Sequence, residues 1–380
     1  MRLAVVLERP TQFDVPLFRH AAQDRAHSLR VLYTDPLSSS QAYDPELGRD
    51  VGWGSDLLAG YDGAASPPRG RNGWLRRELA AGHDLVIVNG YTRRPYLTAT
   101  AAARRAGSST ALRLDSVLFD EGPGPRRTAK RLLFRLAVQR LFHLFLGVGT
   151  ATREYLEALG LSAGRIGRFP YPVDVAGLRG RALLDDEQRD LSRAGLGVPA
   201  GDPAVLAVAK LHPRETPWDL LEAWPQVAAP NRWLLVAGDG PDRAAVEAFV
   251  AERRLPRVKL LGYVPYPDLP ALFSCADLFV HAPREERWGV SVGESLACDR
   301  PVVASDRVGA ARDLVRSGEN GFVYPARDLE ALAARIGEAL HITPAAVRSA
   351  SEAPLGAWGL AATWQGLLEA AARRGGNQRT

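Results

Sequence analysis

Glu286 and Glu294 stand eight residues apart in the stretch Glu286-Arg287-Trp288-Gly289-Val290-Ser291-Val292-Gly293-Glu294. Ionised carboxylates are pure hydrogen-bond acceptors, and a pair spaced this way across a glycine can hold the hydroxyls of a sugar nucleotide. A second stretch holds two cations, where Lys210 and Arg214 flank Leu211-His212-Pro213. A third stretch, Gly238-Asp239-Gly240-Pro241, has two residues without a side chain, which lets backbone approach a ligand closely. Each stretch also has a plainer reading. Glu286 sits in the charged run Arg284-Glu285-Glu286-Arg287, Glu294 falls in the first turns of a helix, where acids are favoured, Lys210 also suits an ordinary surface lysine at a strand end, and Gly-Asp-Gly-Pro is a common turn.

The surrounding elements set these residues at one end of a sheet. Ala276-Asp277-Leu278-Phe279-Val280-His281 has the length of a buried strand, and Pro301-Val302-Val303-Ala304-Ser305 reads as the next. Ligands of open parallel sheets bind beyond the carboxyl ends of the strands, where the 281–290 loop falls. The helix after that loop points its positive N-terminus at the same place and favours an anion there.

The motif Glu286-x-Trp-Gly-x-x-x-x-Glu294-Ser-Leu-Ala-Cys, followed by Pro301-Val-Val-Ala-Ser-Asp306, resembles the E-x7-E signature of retaining glycosyltransferases of family 4. Leu234-Leu-Val-Ala-Gly238-Asp239-Gly240-Pro241, Val258-Lys-Leu-Leu-Gly262-Tyr263-Val264 and Gly318-Glu-Asn-Gly321-Phe322-Val323 fall in the family's order. The resemblance is strong over about residues 200–335 and is one of organisation over the N-terminal half. It implies a GT-B fold, two Rossmann-like α/β domains facing a central cleft. It also implies transfer of a sugar from a nucleoside-diphosphate sugar to an acceptor hydroxyl with retention. By that resemblance Glu294 would bind the ribose and Glu286 the donor sugar, while the amides around Trp288, Gly289 and Val290 would meet sugar or diphosphate. One departure stands out: where the family carries a second phosphate-facing lysine, this chain has Glu215. A carboxylate beside a diphosphate is repulsive, so Glu215 is expected to point away, with Arg214 substituting. That departure keeps a non-catalytic GT-B-like binding partner as an alternative, and a sugar-nucleotide epimerase is another.

The chain has 380 residues, 46% hydrophobic, enough for a core in each of two α/β halves. We expect an acceptor-binding domain over 1–173 and a donor-binding domain over 174–354, with the last helical stretch, about 355–380, returning to the first. Phe169-Pro170-Tyr171-Pro172-Val173-Asp174 reads as the crossover, because its prolines forbid regular pairing. The N-terminal half alternates strands at Leu3–Leu7, Leu29–Tyr33, 84–90, Ser109–Leu114 and Phe142–Val148 with helices, and has no G-x-G-x-x-G loop. Its acceptor-side candidates are Gln12, Phe13, Arg113 and Asp115, all at strand ends. Plainer uses exist for them too, as helix staple, surface charge or loop cap. Residues 35–73 read as a long loop that shapes an acceptor site.

Composition narrows the partners. Two cysteines, Cys275 and Cys298, support neither a disulfide framework nor a cysteine-rich metal site. No Asp-x-Asp pair occurs, and no histidines have metal-ligand spacing, so no metal and no cofactor are expected beyond the donor as co-substrate. A net charge of +5 suits an anionic nucleotide sugar or an acidic membrane surface. Nucleic acid is disfavoured, since no zinc-finger or RNA-binding motif is present. The acceptor class stays open among small molecules, glycans and glycolipids. The segment 126–140 interleaves Arg126, Arg127, Lys130, Arg131, Arg135 and Arg140 with leucines. It reads either as an amphipathic helix packed on its sheet or as a peripheral contact with an anionic membrane. With no apolar run of the ~18 residues that span a bilayer, the expected setting is cytoplasmic, peripheral at most to the inner membrane face.

Overall fold

The computed structural model describes residues 1–35, 41–44, 49–52, 56–121, 124–182 and 185–373. Parts of the 35–73 stretch and the tail at 375–378, expected to be disordered, lie outside the described residues.

The strands in chain order are β1 (Arg2–Leu7), β2 (Ser28–Tyr33), β3 (Gln41–Asp44), β4 (Arg49–Gly52), β5 (Gly63–Ala65), β6 (Leu85–Val88), β7 (Ser109–Leu114), β8 (Leu144–Gly147) and β9 (Ile166–Arg168). They continue as β10 (Ala204–Val208), β11 (Trp233–Ala237), β12 (Val258–Gly262), β13 (Leu278–His281), β14 (Val302–Ser305) and β15 (Gly321–Tyr324). The chain divides into two compact units. The first holds 1–40, 55–172 and 358–380, and the second 41–54 and 173–357.

Each unit is built on a parallel sheet. The first runs β5-β2-β1-β6-β7-β8-β9 and the second β12-β11-β10-β13-β14-β15. Parallel strands are covered on both faces by their crossover helices, which is why β1, β6, β10 and β13 read as unbroken apolar runs rather than alternating ones. Val86, Leu112 and Phe145 stand in the core of the first unit, and Val205, Val236, Val280 and Trp224 in that of the second. Burying one such side chain contributes about 1.5–3 kcal/mol.

In both sheets the strand order reverses beside the first strand of the unit, between β1 and β6 and between β10 and β13. Loops that leave such neighbours turn to opposite faces and open a crevice. The second of these points lies between the loop after β10, which carries Lys210 and Arg214, and the loop after β13, which carries Glu286.

Three regions differ from the sequence reading. Within 35–73 stand a hairpin of β3 and β4, the edge strand β5 and the start of an Arg71–Leu79 helix. Residues 176–200, whose sequence with Asp185-Asp186-Glu187 and Arg193 reads as a short helix and a linker, form two helices, Val175–Ala182 and Asp186–Gly195. The last helical stretch breaks at Trp358–Gly359 into Pro344–Ala357 and Leu360–Ala372. The second of these belongs to the first unit, where the Trp364 indole donates to Asp24 at 2.9 Å.

Candidate active site

The Glu286 loop runs from the end of β13 to Gly289, whose φ of +88° starts the Val290–Ala297 helix. A Cβ at Gly289 would approach His281 Nε2 to 2.9 Å, so this left-handed corner has room for glycine alone. Glu286 is half-buried, and its Oε1 accepts the Trp288 amide at 3.3 Å. The loop pairs with the segment after β14. The Glu286 amide donates to the Arg307 carbonyl at 3.2 Å, and the Ala310 amide donates to the Trp288 carbonyl at 2.7 Å. Trp288 is buried, which roots the bend in the core.

Glu294 lies one helical turn deeper and is buried. Its carboxyl is pushed up to about 7, first by loss of water and against the Tyr266 hydroxyl that is hydrogen-bonded to it and the positive charge of Arg181. His281 is buried beneath the same loop, with Nε2 unpartnered, and burial lowers it to about 4. It is therefore a neutral imidazole at pH 7.

The second wall is the loop after β10. Lys210 is half-buried and Arg214 exposed, and the Leu211 amide donates to the Asp239 carbonyl at 2.9 Å. Gly238 and Gly240 are explained here by that neighbouring loop. A Cβ on Gly238 would fall on the Ala209 carbonyl oxygen, and one on Gly240 would stand 2.5 Å from that of Leu211. The backbone that comes close to these glycines is the Lys210 segment itself. Asp239 accepts the Gly240 amide at 2.9 Å. Val290 is the first residue of the helix, half-buried.

In the first unit three of the four acceptor-side candidates, Phe13, Arg113 and Asp115, meet around Tyr171, which the sequence did not single out. Phe13 packs edge-on to Tyr171 at 4.9 Å, and the Tyr171 hydroxyl donates to Asp115 at 3.3 Å. Gln12 is half-buried with an unpartnered Oε1. Arg113 is put to another use than the acceptor contact or surface charge expected of it. It is 1% exposed, paired with the equally buried Asp14 at 2.9 Å, and it donates to the carbonyls of Phe169 and Pro170. The Phe169 ring covers its guanidinium at 4.0 Å. It fastens the strand end to the segment that leaves this unit.

Asp219 and Tyr266 were also missed. Asp219 is an acid inside the apolar run Trp218-Asp219-Leu220-Leu221, a pattern that also suits an ordinary helix start. Among the described residues no cluster of three or more His, Cys, Asp or Glu is placed to hold a metal ion, and Cys275 and Cys298 are both free and buried.

The fold is thus two parallel α/β sheets, with an acid-bearing loop and a cation-bearing loop on either side of the strand-order reversal in the second. Residues 188–354 match the family described as Glycosyl transferases group 1. Among curated proteins, the chain is 33% identical over 151 residues to the 2-deoxystreptamine N-acetyl-D-glucosaminyltransferase of Streptomyces fradiae, covering 38% of this chain and 35% of that one. That stretch spans about a third of the relative's length. A longer match, 27% identical over 336 residues, covers 83% of this chain and 82% of a Mycolicibacterium smegmatis mannosyltransferase. That enzyme is named as GDP-mannose-dependent and as acting on phosphatidylinositol monomannoside. Among solved structures, Anabaena HepE in complex with UDP matches with a TM-score of 0.77 at 20% identity, over 98% of this chain and all of the other. Residues 188–354 thus resemble the group 1 glycosyltransferases, and the two-sheet α/β architecture is that of the GT-B structural neighbours.

Proposed function

We propose that the second unit binds a nucleoside-diphosphate sugar at the β10/β13 reversal and that the enzyme transfers the sugar with retention to an acceptor hydroxyl. Glu294 takes the ribose hydroxyls and Glu286 those of the sugar. The amides of Trp288, Gly289 and Val290, with the helix N-terminus behind them, face the diphosphate or sugar. Lys210 and Arg214 meet the charge that gathers on the leaving phosphate, supported by backbone around Gly238–Gly240, and preorganised donors of this kind supply a large share of a rate enhancement. The anomeric carbon–oxygen bond to the phosphate breaks and the acceptor oxygen bonds on the same face. The acceptor's proton passes to the departing phosphate oxygen, so neither a protein nucleophile nor a metal ion has a step to perform. Gln12, Phe13 and Asp115, with Tyr171, serve the acceptor.

The observation that carries this reading is the buried Glu294 carboxylate on the helix that follows the Glu286 bend. Water is excluded there, so hydroxyl donors bind an ionised carboxylate strongly. The similarity to a mannosyltransferase whose named acceptor is a phosphatidylinositol monomannoside supports an acceptor presented at a membrane. So do Leu132, Leu133 and Leu136, which are 55%, 60% and 53% exposed among the cations of 126–140. No helix among the described residues is long and apolar enough to cross a bilayer.

Thermal-shift screening with UDP, GDP, ADP and their sugars tests the donor, since a ligand of the folded state raises Tm. One nucleotide family should stabilise the wild type and lose that effect in Glu294→Ala, while Glu286→Ala should stay folded and lose transfer. No stabilisation by any of them favours a non-catalytic partner. An epimerised donor in the product mixture favours the epimerase.

A further inference from the structure

The Glu286 loop is tied on one side to the segment after β14, and on the other it meets Asp219. This carboxylate is wholly buried at the second position of the Trp218–Val227 helix, where the helix dipole supports its charge. Its Oδ1 accepts Arg284 Nε at 3.1 Å. Its Oδ2 accepts the Arg327 amide at 2.7 Å and the Tyr324 hydroxyl at 3.4 Å. Arg284 also reaches Glu222, one turn along the same helix, at 3.2 Å. Arg327 holds a φ of +71°, a strained conformation for a side-chain-bearing residue, and the Asp219 bond to its amide helps retain it.

We propose that Asp219 is a positioning residue for the donor grip. It joins the loops that leave β13 and β15 to the helix that follows the Lys210 loop, and so fixes where Glu286 stands. The inference rests on the reading of Glu286 as a sugar-binding residue. A site that needed only packing would hold an apolar side chain there, because burying a carboxylate costs several kcal/mol that its partners must offset. The donors that offset it come from three places: Arg284 two residues before Glu286, the Arg327 backbone, and Tyr324 at the end of β15. All are at the carboxyl edge of the sheet.

Hydrogen exchange on the unliganded protein tests the positioning without any donor. In Asp219→Asn, amides of 284–289 and 325–328 should exchange about tenfold faster or more, while β10 and β13 keep their protection. Arg284→Gln, which leaves the Arg327 and Tyr324 bonds in place, should loosen 284–289 alone, and it decides the matter if Asp219→Asn fails to fold. Unchanged exchange in 284–289, or an equal rise across the whole sheet, overturns the proposal. Affinity for whichever of UDP-glucose, UDP-N-acetylglucosamine or GDP-mannose stabilises the wild type should fall about ten- to a hundredfold in Asp219→Asn, as for loss of a charged hydrogen bond. Added to Glu286→Gln, the substitution should cost little more, and a fully additive loss would show that Asp219 does not act through Glu286. If no donor binds the wild type, the sugar-grip reading fails, whatever the exchange shows.

Discussion

The Tyr266 hydroxyl is hydrogen-bonded to the Glu294 carboxylate inside the second unit, with Arg181 the nearest compensating charge. One phenol and one arginine do not replace the water the carboxylate has lost, so its pKa stands at about 7, against 4.5 for an ordinary glutamate. The folded protein therefore holds this proton more tightly than the unfolded chain. Its contribution to stability falls as pH rises from about 4.5 to about 7, and the deficit is complete above that. Glu294→Gln removes the titration. Thermal unfolding should show the variant gaining on the wild type between pH 4.5 and pH 8, by up to ~3 kcal/mol. Donor affinity of the wild type should rise over the same window, because ribose hydroxyls need the ionised form as acceptor. A constant gap between the two proteins would show that burial does not raise the Glu294 pKa above that of the unfolded chain.

Gly238 lies against the Ala209 carbonyl, so Gly238→Ala has to move one of the two loops. Overpacking of this kind costs about 1–3 kcal/mol. A lower Tm accompanied by weaker nucleotide binding is expected, because the displaced segment carries Lys210. Retained affinity at a lowered Tm would separate the glycine from the donor site.

Arg113→Ala leaves Asp14 buried without its cation, and a broken buried pair of this sort costs about 3–5 kcal/mol. Denaturant titration should show a loss of that size. A change below ~1 kcal/mol, the range of exposed pairs, would mean that the pair is not buried in solution.

Leu132, Leu133 and Leu136 give the 126–140 segment an apolar stripe beside its cations. The wild type should sediment with vesicles containing phosphatidylglycerol, and less so with pure phosphatidylcholine. Replacing all three leucines by serine should abolish sedimentation without lowering Tm, because the residues that anchor this helix are Phe134 and Val138, both buried. Equal sedimentation of the variant would put the contact elsewhere.

The central strands could be read because residues buried on both faces leave unbroken apolar runs, as in Leu3–Leu7 and Leu278–His281. The edge strands of the first sheet could not. β5 is Gly63-Ala64-Ala65 and β9 is Ile166-Gly167-Arg168, and neither has the apolar length that marks a strand. Of the site, the Glu286–Glu294 spacing was visible because it is local in sequence. Asp219 and Tyr266 were not, because their partners are 65 and 28 positions away and nothing in the intervening chain marks the contact. Arg113 shows the opposite failure. An arginine at a strand end suggests a ligand, and only the fold reveals that Asp14 and the Phe169–Pro170 carbonyls use it.

The helix at Leu360–Ala372 follows every strand of both sheets in the chain, yet it belongs with the earlier sheet. As the polypeptide leaves the ribosome, every strand of the later sheet has emerged before the earlier sheet can receive this cover. The Trp364 indole must then find Asp24, 340 positions behind it. Translation halted before residue 360 would leave the first lobe with an unroofed greasy flank, a surface that chaperones and proteases read as unfinished.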